Sequence, residues 1–281
     1  MTADGFRVLD VHHHVGDPVQ ALAMPGAEGA SAPPGLEHDM QVRLETMDRD
    51  GIDGGLLIPG HSYLRPEGLA DTRRINDGIA SYRDSMPGRF PAALGIVEPL
   101  YGRAGDAELR RIKAELGLVG VSFHTRFQGV TTDSPLVLAQ IELMGELGMV
   151  PFLHSVAESP EESLWRIHRV AKAFPDLTMV VLDTFSSHEQ SSHAMLVAEL
   201  VPNLVFDSSL AYSIDPALRL IDGFGHHRVI FGTDLYSYPL GYHHSTVLAH
   251  WLESGLKPEI LQDVLAGTAE RILGLERAGK E

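Results

Sequence analysis

The stretch RVLDVHHHVGDP, residues 7–18, begins as an apolar, β-branched strand and ends in three consecutive histidines. A doubly wound sheet would show a Gly-rich turn after its first strand, and this stretch has none. Strand side chains alternate between faces. On that alternation Asp10, His12 and His14 share one face, while Leu9, Val11 and His13 share the other. Leu9 and Val11 suit the outward face, packed beneath helices, so Asp10, His12 and His14 are expected to point inward. The working motif is then His-x-His, because two imidazoles at i and i+2 of one strand can reach a single ion. His13 is a bystander on this reading. The pair alone reads equally well as a polar, hydrogen-bonded strand end, so further ligands have to come from elsewhere in the chain.

Beyond this first strand (6–14), short apolar runs alternate with helical patterns. A helix over 38–51 carries Met40, Leu44 and Met47 on one stripe and stops at Gly51. Strands follow at 54–60, 90–99, 118–125, 149–155, 178–184, 203–209 and 228–235. Helices lie between them at 71–86, 104–116, 134–147, 160–173, near 188–200 and at 215–223, with more helix over 243–273. Strands separated by helices imply a parallel sheet. Eight such units in about 250 residues predict a (β/α)8 TIM barrel, with a doubly wound open sheet as the alternative. No repeat or linker divides the chain, so residues 1–281 are expected to form a single domain. Residues 15–37, rich in Gly, Ala and Pro, would be a long loop over the C-terminal face of the barrel, where barrel enzymes build their active sites.

That face is where further ligands are expected. His154 ends the fifth strand and Asp234 the eighth. A carboxylate at the end of a buried strand is costly unless paired or metal-bound. Three imidazole nitrogens and one carboxylate oxygen from strands 1, 5 and 8 suit Zn²⁺, with Mn²⁺ or Fe²⁺ as alternatives. Composition narrows the partners. A formal net charge of −16 disfavours nucleic acid and anionic membranes, leaving a small-molecule substrate and allowing a homo-oligomer. No cysteine is present, which removes disulfides, thiolate ligands and a cysteine nucleophile, and fits a cytoplasmic protein. No secretory signal or membrane-length apolar run is expected.

Several fragments, in order, resemble the amidohydrolase superfamily in its amidohydrolase-related branch, which includes aminocarboxymuconate-semialdehyde decarboxylase-like enzymes. They are LDVHHH, LETMDRDGIDGGLLIPG, NDGIASYRDSMPGRFPAALGIVEP, LGLVGVSFHT, LGMVPFLHS, FGTDLYSYP and LAGTAERILGL. The resemblance covers nearly the whole chain and implies that His12, His14, His154 and Asp234 are metal ligands. One position departs from the pattern. Where the family usually has a histidine after the sixth strand, this chain has Thr184, next to Asp183, with His188 four residues on. The catalytic proton carrier is therefore expected to be Asp234 or His188, the latter also readable as an ordinary first-turn helical residue. His61, His124, Arg126 and Tyr236 are candidate substrate contacts around the rim. Arg126 could pair with a substrate carboxylate, and the pair His243–His244 could line the pocket. His226 and His227 precede the eighth strand and belong to the opposite face, and His168 is a solvated helical residue. The expected reaction is metal-dependent hydrolysis of an amide, ester or lactone of a small carboxylated or aromatic molecule. The alternatives are a non-oxidative, metal-dependent decarboxylase of an aromatic or unsaturated acid, and a metal-independent lactonase.

Overall fold

In a computed structural model of the chain, residues 5–16, 36–60, 66–237 and 245–275 are described below. Most of the expected loop 15–37, together with His61 and His243–His244, lies outside these residues.

Eight strands form one parallel sheet in sequence order. They are β1 (Leu9–Val15), β2 (Gly54–Pro59), β3 (Ala92–Gly95), β4 (Gly120–Phe123), β5 (Val150–His154), β6 (Met179–Leu182), β7 (Leu204–Asp207) and β8 (Val229–Ile230). The ring closes where the chain after β8 bonds to β1. Val11 N donates to Phe231 O, Leu235 N to His12 O and His14 N to Leu235 O. The expected (β/α)8 barrel is thus the observed fold.

The helices are α1 (Leu36–Asp50), α2 (Leu69–Ser85), α3 (Arg103–Ala114), α4 (Pro135–Leu147), α5 (Leu164–Ala173), α6 (His188–Leu200), α7 (Asp215–Phe224), α8 (Val247–Leu252), α9 (Pro258–Gln262) and α10 (Thr268–Leu273). Their ends follow local chemistry. In α4 the Ser134 hydroxyl accepts from Val137 N, Pro135 occupies the first turn, and Gly148 closes the helix in the left-handed conformation. In α6 the Ser187 hydroxyl accepts from Gln190 N, which makes His188 the first helical residue.

Two apolar layers result. The outer layer packs strand residues such as Leu57, Ala93, Val121, Leu153, Val181 and Phe206 against helix residues such as Ile79, Ile141 and Val197. The inner layer fills the barrel with alternate strand residues, among them Leu56, Leu94, Phe152, Val180, Val205 and Ile230, plus Ala266, Ala269 and Leu273 from the C-terminal end.

Leu9 and Val11 belong to the inner layer, which corrects the expected facing of β1. Leu9 pairs with Gly54 and Asp10 with Gly55, but His13 is the residue that pairs with Leu57. Three residues of β1 thus advance where β2 advances two, which is a β-bulge. The extra residue resets the alternation: Val11 and His12 both turn inward, and His14 follows on the inner side. Asp10 and His13 share the outer side. There His13 Nε2 donates to Asp10 Oδ2 at 2.8 Å, and Thr233 N and Oγ1 also donate to Asp10. Burial opposes a charge on Asp10, yet these bonds and the facing His13 hold its pKa below the usual carboxylate range.

Candidate metal centre

The inward turn of His12 and His14 brings them to His154 at the end of β5. Their Nε2 atoms lie 3.0 Å (His12–His14) and 3.4 Å (His14–His154) apart. Asp234 Oδ1 lies 3.2 Å from His12 Nε2 and 3.4 Å from His14 Nε2. All four side chains are almost completely buried.

The opposite nitrogen of each ring is occupied by an acceptor. His12 Nδ1 meets Asp207 Oδ2 at 2.8 Å, His154 Nδ1 meets the Phe123 carbonyl at 3.0 Å, and His14 Nδ1 faces the Pro59 carbonyl at 3.4 Å. Carbonyls and carboxylates only accept, so each Nδ1 donates outward and each Nε2 is the atom left to bind a cation at the centre. Three Nε2 atoms and a carboxylate oxygen that has no hydrogen-bond partner among the described residues converge there, a cluster that needs positive charge, either a proton on His12 or a metal ion. The spacing agrees. Donors about 2.1 Å from one ion and about 90–110° apart lie about 3.0–3.4 Å from each other. The residues present therefore fit one divalent cation held by His12, His14, His154 and Asp234.

The charge around the site leads to the same conclusion. Asp183, Asp207 and Asp234 are all buried, and oxygens of Asp183 and Asp234 lie within 4.8 Å of each other and of a His12 nitrogen. Burial opposes a charge on His12, yet Asp234, Asp207 and Asp183 hold its pKa up at about 10. Burial raises Asp234 well above the carboxylate range and lifts Asp183 to about 6. The pocket needs positive charge, which a divalent cation supplies. Asp183 and Asp234 both adopt φ of 61°, a left-handed conformation that aspartate tolerates better than most residues. A cost of about 1 kcal/mol each is typical of functional sites.

Asp183 and Asp207 were not among the expected site residues. A polar end to an apolar strand, the signal that singles out Asp234, was equally available in VVLD (180–183) and LVFD (204–207). Asp207 also bonds to Asp183 N at 2.9 Å and to Ser209, so it fixes both His12 and the Asp183 backbone.

The other expected residues divide. Tyr236 stacks on His14, with centroids 4.6 Å apart and an angle of 29°. His124 lies against His154 and is buried. Arg126 lines an open cavity of about 530 Å³ with Gly129, Val130, Thr131, Glu158 and Ser159. Its Nε lies 3.9 Å from the buried Glu162 carboxylate, an acid already beside the cation offered to a substrate carboxylate. His188 is not brought to the cluster. It is the exposed first residue of α6, because the Ser187 cap starts the helix before its side chain can turn inward. Thr184 bonds back to the Val181 carbonyl, leaving Asp183 as the β6 side chain at the site. His226 bonds Asp263 ahead of β8, away from the centre, and His168 is half-exposed on α5.

A closed parallel barrel with a His₃Asp centre at its C-terminal mouth defines the class to which the chain should be compared. The chain belongs to the amidohydrolase family, whose sequence profile matches residues 9–275. It is 30% identical over 122 residues to the 2-amino-3-carboxymuconate-6-semialdehyde decarboxylase of Dictyostelium discoideum, covering 41% of this chain and 33% of that protein. The matched part thus spans about a third of the relative's length. Among solved structures, the 5-carboxyvanillate decarboxylase of Sphingomonas paucimobilis superposes with a TM-score of 0.72 at 18% identity, covering 97% of this chain and 100% of its own. A dihydroxybenzoic acid decarboxylase from Polaromonas sp. JS666, solved with manganese and the inhibitor 2-nitroresorcinol, gives 0.71 at 16%, covering 97% and 98%. At these identities the superpositions establish the fold. The expectation of hydrolysis as the main reaction is corrected here: the curated relative and both structures are named decarboxylases, which favours the alternative reading.

Proposed function

We propose that this chain is a metal-dependent, non-oxidative decarboxylase of a small aromatic or unsaturated carboxylic acid. The observation that carries the reading is the pairing of the His12–His14–His154–Asp234 centre with a second buried acid, Asp183, next to Thr184, which stands where the family pattern has histidine. When bound, the cation would anchor the substrate's oxygens and hold the carboxylate-bearing carbon toward the proton donor. The donor set accepts Zn²⁺ or Mn²⁺, and manganese in a structural neighbour supports the latter.

The reaction replaces a C–CO₂⁻ bond by C–H, so the protein has to deliver one proton to carbon. Asp183 is suited to hold it. Burial and the neighbouring Asp207 carboxylate raise its pKa to about 6, so it can take up a proton and pass it on close to neutral pH. Its Oδ1 accepts from Ser209 at 3.1 Å, which aims the carboxyl group. Tyr236, stacked on His14, forms one wall, and burial raises its hydroxyl well above the usual phenol range, so it stays protonated. A small-molecule substrate and a cytoplasmic location complete the reading.

The test is to incubate the Mn²⁺- or Zn²⁺-loaded protein in D₂O with a panel of aromatic and unsaturated acids. CO₂ release with one deuterium at the vacated carbon is expected. Acid production without CO₂ would overturn the proposal.

A further inference from the structure

Glu162 is completely buried in a short turn after β5. A buried carboxylate is costly unless it is paired and hydrogen-bonded. Among the described residues its side-chain hydrogen bonds and ion pair run to the segment after β4. Oε1 accepts from His124 Nδ1 at 2.6 Å and from Arg126 N at 3.0 Å, and Oε2 lies 3.9 Å from Arg126 Nε. The bond to His124 fixes that ring in turn. His124 lies flat on His154, with centroids 4.2 Å apart and planes within 4°, while Phe127 closes edge-on against His124 at 4.5 Å.

His154 needs this support. Its Nδ1 is tethered to the Phe123 carbonyl, which sets its direction in the ring plane but leaves tilt about that bond open. The parallel face of His124 on one side and His14, 5.4 Å away at 25°, on the other remove the tilt. An imidazole bound to a divalent cation is electron-poor. A stacked imidazole whose N–H donates to a carboxylate is electron-rich and favours that state.

We propose that Glu162, acting through His124, is a positioning residue for the metal ligand His154: a carboxylate–imidazole–imidazole stack that raises the affinity of the centre for its cation. This rests on the metal reading above. Partners one layer behind a ligand commonly change metal affinity by about 10–100-fold.

The test uses the full chain with Mn²⁺ alone. Dissociation constants are measured by equilibrium dialysis for the wild type, Glu162→Gln and His124→Phe, beside the melting temperature of each metal-free protein. His124→Phe keeps a flat ring on His154 but cuts the link to Glu162. Both variants are expected to bind Mn²⁺ at least 10-fold more weakly, with metal-free melting temperatures near the wild type. If Glu162→Gln does not fold, His124→Phe decides alone. Folded variants that bind Mn²⁺ within twofold of the wild type would overturn the inference. A wild type that binds no Mn²⁺ or Zn²⁺ would overturn the metal reading itself, so the two failures are distinguishable.

Discussion

His12 carries more of the site than its place in a run of three histidines suggests. Its Nε2 meets His14 and Asp234 while its Nδ1 is held by Asp207. Replacing His12 or His154 with alanine removes a donor outright and should lower metal affinity by more than the roughly 10–100-fold seen for outer partners. Metal analysis after gel filtration checks this, and a variant that retains a full equivalent would remove that residue from the ligand set. Asp183→Asn keeps shape and removes the proton. It should leave metal content intact and cut turnover by about 10²–10⁴-fold, the usual range for a positioned acid. His188→Asn, on the exposed start of α6, serves as the comparison and should turn over like the wild type. Equal turnover by Asp183→Asn would assign the proton elsewhere. The four candidate ligands were singled out because each is a polar residue at or near the end of an apolar strand. Glu162 was not, because its partners His124 and Arg126 lie 38 and 36 residues away and meet it only once β4 and β5 pair.

At the scale of the element, the decisive feature is the bulge in β1. Strict alternation puts Leu9 and Val11 outside, whereas they fill the barrel. His12 and His14 reach the mouth because the bulge adds one inward residue. The reason lies in pairing rather than in β1 itself: His13 takes Leu57 as its partner, and its ring fills the space above Gly55, where a Cβ would come within 2.7 Å of His13 Nδ1. Sequence alternation carries no sign of such a slip, because it counts residues along one strand only. The β4–β5 pair that carries His124 and His154 has a similar close approach. A Cβ on Gly120 would run into the Val150 backbone carbonyl, which cannot move without breaking the ladder. Gly120→Ala should therefore cost about 4 kcal/mol or more, in the range of severe core defects. Chemical denaturation checks this, and a loss below about 1 kcal/mol would show that β4 and β5 can separate more freely than their pairing implies.

For the whole molecule, the proposed metal centre would clasp the barrel as well as form a site, since His12, His14, His154 and Asp234 come from β1, β5 and the chain after β8. A cation that binds only the folded barrel at 100 times its dissociation constant adds about 2.7 kcal/mol. For a barrel of this size that corresponds to a rise in melting temperature of about 4–6 °C. Calorimetry with Mn²⁺ or Zn²⁺, reversed by a chelator and absent in His12→Ala, checks it; a wild-type melting point indifferent to metal would count against the centre. The sequence by itself determined the eightfold alternation of strand and helix and the polar residues that end the strands, because both are written in local periodicity. Tertiary structure alone decided which of those residues meet. Closure of the ring sets the distance from His12 to His154 and Asp234, the bulge sets the side on which His12 lies, and the Ser187 cap turns His188 outward while a left-handed backbone turns Asp183 in. Those outcomes depend on contacts between segments far apart in the chain, where local pattern carries no information.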